Sequence, residues 1–175
     1  MMNQPVSGYD IKQEFDHSLK HFWFAELSQI YPALKKLVRE GLAEVHSAAS
    51  EKGPDKKLYS RTLKGSEALS AWLKSEPATA PVRHGFMGQL FFMGNREDPH
   101  VALAFFQDLL AHFSARRKAL EAVEANWKAN DPSYPDKLPD EPFYMQMTLD
   151  IGLNLQKTYE DWCIRSIARI EARLN

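Results

Sequence analysis

AELSQIYPALKKLVREGL, residues 25–42, is the stretch that decides the fold of this chain. Its apolar residues recur at spacings of three and four, which predicts one apolar helix face. They are Leu27, Ile30, Leu34, Leu37 and Val38. Gly41 is predicted to end the helix, because glycine adopts a positive φ at little cost. Pro32 removes one hydrogen bond and bends or starts a helix. We favour one long helix, because the apolar face continues on both sides of Pro32.

The residues after this helix have the pattern of two short strands. AEVHS at residues 43–47 alternates small or apolar residues with polar ones, as a half-exposed strand does. Gly-Pro-Asp at residues 53–55 marks a turn, and LYS at residues 58–60 resumes the strand pattern. Thr62 can then cap a helix that runs through Trp72. Helix, strand, basic turn, strand and helix is the order of a winged helix-turn-helix.

A further helix is predicted upstream, over residues 7–19, with Ser7 as its cap. Its inward residues are predicted to be Tyr9, Ile11, Phe15 and Leu19.

The net charge is only −1 over 175 residues, so DNA binding would require a local basic patch. Lysines and arginines do cluster on the long helix and in the turn between the strands. Ordinary solvated surface charge is the alternative explanation of these clusters.

The second half of the chain has a helical pattern. Residues 75–85 (SEPATAPVRHG) are predicted to be a linker. A short helix over residues 85–94 is apolar on most sides and is therefore predicted to be buried. Asp98 can cap the next helix, with Pro99 in its first position, and that helix runs to about residue 129. An acidic, proline-rich loop then precedes a last helix over residues 143–174.

The last helix is apolar on more than one side, so it needs cover from two directions. A second copy of the chain is the simplest source of that cover, and we therefore predict a homodimer. Cover by the short apolar helix of the same chain is the alternative. The residues assigned to dimerisation are Phe106, Phe113, Leu155, Tyr159, Trp162, Ile167 and Ile170.

No motif of catalysis, metal binding or membrane insertion is found. Cys163 is the only cysteine, which excludes an intrachain disulfide. His17 and His21 have a spacing that could hold a metal, but such a pair is more often exposed helix surface. No phosphate loop or GxSxG elbow is present. No segment approaches the ~20 apolar residues of a membrane span. We therefore expect a cytoplasmic protein without catalysis, metal or cofactor.

The chain resembles the PadR family of winged-helix transcriptional regulators in four motifs: GYDIKQEF, FW, QIYPALKKLVREGL and GPDKKLYSRTLKG. The resemblance is specific over residues 7–72 and rests on helical pattern over residues 73–175. It is strongest to the subgroup typified by the virulence activator of Vibrio, with a longer helical C-terminal domain. The resemblance implies a mainly α protein: a winged helix-turn-helix with a small β wing (1–74), the linker (75–85) and a coiled-coil-like dimerisation domain (86–175).

The resemblance also implies partners and sites. The partners are double-stranded DNA, a second copy of the chain and, in many members, a small aromatic or phenolic effector. The DNA-binding residues would be Ser28, Gln29, Tyr31, Lys35 and Lys36 on the long helix, with Lys52, Lys56 and Lys57 in the wing. Glutamine can read adenine edges, and lysines contact phosphate. A tentative effector pocket would be formed by Phe22, Trp23, Phe24, Phe86, Phe91 and Phe92; plain core is the alternative.

Two departures from the family pattern leave a competing hypothesis open. The apolar helix that usually precedes GYD is missing, and Arg61 replaces a usually apolar residue. A truncated start is the favoured explanation of the missing helix. The competing hypothesis is a helical dimerisation or small-molecule-binding protein with a degenerate DNA-binding head.

Overall fold

The structure is a computed structural model that describes residues 4–16, 22–23, 25–48, 56–79, 82–95, 98 and 100–174. The chain divides into two compact units, Met1–Ala80 and Pro81–Asn175. The boundary between them falls within the stretch predicted to be a linker.

In the described residues, the first unit combines three helices with a small antiparallel sheet. Its elements are β1 (Val6–Ser7), α1 (Gly8–Glu14), α2 (Leu27–Arg39), β2 (Ala43–Ala48), β3 (Lys56–Arg61) and α3 (Leu63–Leu73). The strand order is β1-β3-β2, and Tyr59 in the middle strand lies opposite both Val6 and Val45. The predicted fold class, a winged helix-turn-helix with a small β wing followed by a helical region, is confirmed.

Helix α2 is one continuous helix with Pro32 inside it, as the sequence predicts. It starts slightly later than predicted, because Glu26 is extended and acts as the N-cap. Gly41 has φ of 71°, and the N–H of Leu42 donates to the carbonyl of Leu37 at 2.9 Å. This left-handed turn ends the helix in the predicted place. Thr62 also caps α3 as predicted, accepting a hydrogen bond from the N–H of Gly65 at 3.0 Å.

The core of the first unit lies between α2 and the sheet. Ile30, Leu34 and Tyr59 are each about nine-tenths buried, and Ile11, Ala25 and Val38 pack against them. The prediction that Tyr9 points inward is wrong, because its side chain is 58% exposed. Gly8 and Ile11 form the inner face of α1, and Tyr9 lies about 100° around the helix from Gly8. Leu19 and the histidine pair at positions 17 and 21 lie outside the described residues.

The second unit is a pair of long helices with a short helix packed on it. Its elements are α4 (Gly85–Phe91), a single 3₁₀ turn (Met93–Asn95), α5 (His100–Asn130) and α6 (Asp140–Leu174). Helices α5 and α6 are antiparallel and share a core of Phe106, Phe113 and Cys163. No helix in the described part of the chain is long and apolar enough to cross a lipid bilayer.

The starts of α5 and α6 can be compared with the helix starts predicted from the sequence. The Asp98 side chain accepts a hydrogen bond from the N–H of His100 at 2.8 Å, as predicted. Helix α6 begins at Asp140, before the predicted start at residue 143. Pro142 is accommodated because a first-turn residue has no intrahelical partner for its N–H. The acidic residues Asp140 and Glu141 favour the same first turn through the helix dipole.

The prediction that the short apolar helix is buried is wrong for α4 within one chain. None of its residues is buried, and Phe91 and Phe92 are 82% and 65% exposed. Only the side that carries Phe86 and Leu90 packs against the α5–α6 core. A helix of two turns can present one side to a helix pair, so its remaining apolar side chains stay uncovered.

Candidate nucleic-acid interface

A depression of about 380 Å³ on the first unit brings together three separate parts of the sequence. The start of α1, one side of α2 and the wing strand β3 all contribute to it. Its lining residues are Ser7, Tyr9, Asp10, Tyr31, Lys56 and Lys57. We call it the tyrosine–lysine depression. Three of the predicted DNA-binding residues, Tyr31, Lys56 and Lys57, therefore lie around one surface feature.

Tyr31 is positioned by a close contact between α2 and α1. A Cβ atom on Gly8 would lie 2.6 Å from Cε1 of the Tyr31 ring, so the ring would have to shift if any other residue stood at position 8. The ring thus lies directly over the backbone of Gly8 while the Tyr31 side chain remains 40% exposed. Glycine at position 8 allows an aromatic side chain to stand at the rim of the depression instead of being displaced.

Tyr9 is the residue of this surface that the sequence analysis missed. Its side chain is 58% exposed and lines the same depression as Tyr31. The signal that could have identified it is its neighbour: a helix that buries Gly8 turns Tyr9 toward the surface. Two tyrosine hydroxyls and two lysine ammonium groups at one place are donors of the kind that bind phosphate oxygens.

Asp10 adds one negative charge to this mostly basic surface. Its carboxylate accepts a hydrogen bond from the backbone N–H of Ser7 at 2.8 Å, and its own N–H donates to Ser7 Oγ at 3.1 Å. Hydrogen bonds to the carboxylate from the Ser7 side chain and from the Ser7 backbone, together with the nearby Lys56, hold the pKa of Asp10 below its ordinary value of 3.8. Asp10 is therefore ionised at neutral pH and offsets part of the positive charge of the wing lysines.

The remaining predicted residues of α2 lie on its surface. Ser28, Gln29, Lys35 and Lys36 are all exposed. The Gln29 side-chain oxygen accepts a hydrogen bond from the N–H of Glu26 at 3.0 Å, within a capping box at the start of the helix. Lys36 lies 3.9 Å from a carboxylate oxygen of Glu40 on the next turn. Lys52 lies outside the described residues.

The base of the wing is held by polar contacts to the end of α2. Thr62 Oγ1 donates to the carbonyl of Gly41 at 2.8 Å, and the Lys64 ammonium donates to the carbonyl of Glu40 at 2.7 Å. Arg61 remains paired with Ala43 in the sheet. Strand β3 thus continues through Arg61, and the wing stays anchored beside α2.

The predicted dimerisation residues fall into two groups in the second unit. Phe106 and Phe113 are 4% and 5% exposed, so they are already covered within their own chain. Tyr159, Trp162, Ile167 and Ile170 are partly buried against the same core. Leu155 differs, because it is 45% exposed. Their roles at a subunit interface stay predictions.

An apolar stripe on α6 remains uncovered and includes residues that the sequence analysis did not select. Its members recur at spacings of three and four and are 45–64% exposed: Tyr144, Met147, Ile151 and Leu155. Opposite this stripe, toward α5, Glu160 accepts a hydrogen bond from Arg117 Nε at 2.6 Å. The α5 side of α6 thus makes its contacts within the chain, whereas the stripe is exposed.

The six aromatic residues of the predicted effector pocket are distributed over both units. Phe22 and Trp23 in the first unit are 53% and 62% exposed, and Phe24 lies outside the described residues. In the second unit Phe86 packs edge-on against Phe113, with ring centroids 5.7 Å apart. Phe91 and Phe92 pack against each other at 5.1 Å and are exposed. Because the groups belong to different units, their juxtaposition stays a prediction.

Among the residues that the structure describes, no three histidine, cysteine or acidic side chains come close enough to hold a metal ion. The features that stand out are instead a winged helix whose wing carries lysines, and a long helical hairpin with an apolar stripe. Together they define the class of winged-helix proteins with a helical C-terminal unit.

Comparison with known proteins identifies the family to which this chain belongs. Residues 1–71 match the transcriptional regulator PadR-like family, and residues 82–171 match the virulence activator alpha C-terminal family. The chain is 31% identical over 169 residues to the negative transcriptional regulator PadR of Bacillus subtilis, covering 95% of this chain and 90% of that protein. This chain belongs to the PadR-like family of transcriptional regulators, whose members are not enzymes. The resemblance identified from the sequence is confirmed.

Solved structures agree with this assignment. The crystal structure of Bacillus subtilis PadR in complex with operator DNA has a TM-score of 0.79 at 30% identity and covers 96% of this chain and 92% of that one. The same protein in complex with p-coumaric acid has a TM-score of 0.74 at 30% identity, with coverages of 95% and 91%. The Vibrio cholerae virulence activator AphA shares the fold, with a TM-score of 0.74 at 24% identity and coverages of 97% and 92%.

Proposed function

We propose that this chain regulates transcription by binding a specific double-stranded DNA site as a homodimer. The observation that carries the proposal is the tyrosine–lysine depression, where Tyr9, Tyr31, Lys56 and Lys57 surround one concave surface between α2 and the wing. The complex of Bacillus subtilis PadR with operator DNA supports it, because that protein is 30% identical to this chain.

In this proposal α2 enters the major groove and the wing follows the phosphate backbone. Ser28 and Gln29 at the start of α2 are exposed and would reach base edges, and Lys35 and Lys36 lie further along the helix. The tyrosine hydroxyls and the wing lysines would bind phosphates, which fixes the position of the helix but carries no sequence information. Specificity for a DNA sequence would therefore depend on the few side chains that reach base edges, whereas affinity would depend on the basic side chains that bind phosphates.

The homodimer would form through the apolar stripe of α6. Tyr144, Met147, Ile151 and Leu155 expose a continuous apolar surface that a second copy would bury. Leu155→Glu should then shift the protein toward the monomer in sedimentation experiments. Lys157→Glu introduces the same carboxylate on another face of α6 and should leave the dimer unchanged. A parent protein that sediments as a monomer at all concentrations would contradict this part of the proposal.

The DNA-binding part is tested with a fluorescently labelled fragment from the region upstream of the gene that encodes this chain. Fluorescence anisotropy across a series of salt concentrations should show binding that weakens steeply as salt rises, with a slope of about −0.9 per neutralised phosphate. An unrelated fragment of equal length is the control. Absence of binding even at low salt would favour the competing hypothesis of a degenerate DNA-binding head.

We also propose a response to a small aromatic effector and a cytoplasmic location, where a regulator meets chromosomal DNA. The specific observation that favours an effector is the complex of Bacillus subtilis PadR with p-coumaric acid. Addition of p-coumaric acid to the protein–DNA complex should release the labelled fragment if this chain shares that effector. Unchanged anisotropy at saturating p-coumaric acid would reject this compound as the effector.

A further inference from the structure

Three consecutive carbonyl groups at the end of α2 accept hydrogen bonds from the segment that begins α3. The Lys64 ammonium donates to the carbonyl of Glu40 at 2.7 Å, and Thr62 Oγ1 donates to the carbonyl of Gly41 at 2.8 Å. The backbone N–H of Thr62 donates to the carbonyl of Leu42 at 3.2 Å. We call this set of hydrogen bonds the α2–α3 clamp. It joins the last turn of the helix that is proposed to enter the major groove to the first turn of α3.

The backbone of α3 lies very close to the turn that follows α2. A Cβ atom at position 65 would collide with the carbonyl oxygen of Leu42, so the glycine there allows the close approach. Gly65 is buried, and its N–H donates to Thr62 Oγ1 at 3.0 Å. The Thr62 hydroxyl therefore accepts a hydrogen bond from α3 and donates one to the turn after α2. The clamp is thus fixed on both of its sides.

The charge of Lys64 is unfavourable for the helix in which Lys64 lies. Lys64 is the second residue of α3, and the first turn of α3 has no acidic residue. The N-terminus of a helix carries partial positive charge, so a lysine there is repelled by its own helix. The C-terminus of a helix carries partial negative charge, and a lysine ammonium can bind its last carbonyls. The position of Lys64 is therefore explained by α2 and not by α3.

Helix α2 depends on contacts at its ends because its interior is weakened. Pro32 has no N–H, so α2 lacks one of the hydrogen bonds that hold a helix straight. The clamp supplies partners for carbonyls that the end of a helix leaves unsatisfied. With its 13 residues α2 is about 20 Å long, so a small change of tilt at its end displaces the residues at its start.

We infer that Lys64 is a positioning residue for sequence recognition: by holding the end of α2, it fixes the orientation in which Ser28 and Gln29 reach base edges. This role rests on the proposed binding of α2 in the major groove. Lys64 itself would contact no phosphate, because its ammonium is directed at the carbonyl of Glu40. Its loss should therefore reduce discrimination between DNA sequences and leave the salt dependence of binding unchanged. The wing lysines, which bind phosphates in the proposed function, should behave in the opposite way.

The test compares the parent protein with Lys64→Met and Lys64→Arg in the anisotropy experiment, using the labelled upstream fragment and the unrelated fragment of equal length. Lys64→Met removes the donor to Glu40 and should reduce the ratio of the two affinities about tenfold, the scale of one lost base contact. Lys64→Arg keeps a cationic donor and should retain most of that ratio. The slope of log affinity against log salt should be the same in all three proteins.

Lys74→Met is the matched control, because it removes the same charge from an exposed lysine at the opposite end of α3. It should leave the ratio of affinities unchanged, and urea unfolding should show that all variants are folded. The inference is overturned if Lys64→Met keeps the ratio of the parent, or if Lys64→Arg or Lys74→Met lowers the ratio as much as Lys64→Met does.

The salt series separates this role from a direct contact with DNA. A slope that becomes shallower by about 1.8 in Lys64→Met would indicate two phosphate contacts in a dimer and would also overturn the inference. A parent protein that binds both fragments equally would instead reject the proposed sequence-specific binding, and the role of Lys64 with it. A parent that discriminates while Lys64→Met discriminates equally well rejects only the role of Lys64.

Discussion

The side-chain oxygen of Gln29 accepts a hydrogen bond from the backbone N–H of Glu26 at 3.0 Å, while the N–H of Gln29 donates to the backbone carbonyl of Glu26 at 2.8 Å. This reciprocal pair caps α2 at the end that is proposed to meet the bases. A glutamine that reads adenine uses its oxygen and its NH₂ group together. Here the oxygen already serves the helix cap, so the NH₂ group is the donor presented outward.

We therefore expect Gln29 to read a purine acceptor through its NH₂ group alone. Gln29→Ala removes both the cap and the donor, whereas Gln29→Glu keeps the cap oxygen and removes only the donor. Both variants should lose preference at one base pair, by about 1–3 kcal/mol of discrimination. Only Gln29→Ala should also lower the free energy of unfolding, by about 1 kcal/mol.

Binding to a set of operator fragments with single base-pair changes measures the preference, and urea unfolding measures the stability. Relative affinities are compared within each variant, because the added carboxylate of Gln29→Glu weakens binding to every fragment alike. Retained preference in Gln29→Glu would show that Gln29 does not read a base through its NH₂ group.

The wing lysines should contribute affinity without specificity. The double variant Lys56→Ala, Lys57→Ala removes four phosphate contacts from a dimer, so the slope of log affinity against log salt should become shallower by about 3.6. Affinity should fall alike for operator and unrelated fragments. Lys137→Ala removes an exposed lysine of the second unit and serves as the control. An unchanged slope in the double variant would exclude Lys56 and Lys57 from the phosphate contacts.

Gly8→Ala should displace Tyr31, because the new Cβ would lie 2.6 Å from its ring. We expect a loss of about 1–3 kcal/mol in stability from this overpacking and weaker binding to DNA. Gly88→Ala is the matched control: its Cβ would meet nothing within 4 Å, and alanine favours a helix. Urea unfolding and anisotropy measure the two effects. Wild-type DNA affinity in Gly8→Ala would mean that the position of Tyr31 is unimportant for binding.

The pair of Arg117 and Glu160 should make the stability of the second unit depend on acid pH. Burial of Glu160 raises its pKa, but hydrogen bonds from Ser114 and Arg117 outweigh this effect and hold the pKa below the ordinary value of 4.5. A lowered folded-state pKa means that the stabilisation is complete above about pH 4.5 and is lost as pH falls through the folded-state pKa.

Arg117→Met should lower the melting temperature at neutral pH, because it leaves a buried carboxylate without its partner. The melting temperature of this variant should then fall less than that of the parent when the solution is acidified. Lys128→Met breaks the surface pair with Glu124 and should change little at any pH. Thermal melts between neutral and acid pH measure both. Parallel pH profiles of parent and Arg117→Met would rule out this role of the pair.

Local patterns were sufficient for the order and type of the α-helices and of strands β2 and β3, but not for strand β1, which the sequence analysis did not predict. The continuous α2 with Pro32 inside it, the turn at Gly41 and the caps at Thr62 and Asp98 all depend on residues within a few positions of each other. Such features are determined by residues that are neighbours along the chain, so they can be predicted from the sequence. The motifs from GYDIKQEF to GPDKKLYSRTLKG likewise sufficed to identify the PadR family.

Only the tertiary structure decided which side of each helix is covered. Periodicity defines an apolar face but not the direction in which that face points, which depends on the elements packed against it. The contact between Gly8 and Tyr31 turned Tyr9 outward, and the α5–α6 pair covered one side of α4 and left Phe91 exposed. The meeting of Tyr9, Tyr31 and Lys56 in one depression arises the same way, because residues distant in sequence become neighbours only when the sheet and helices pack.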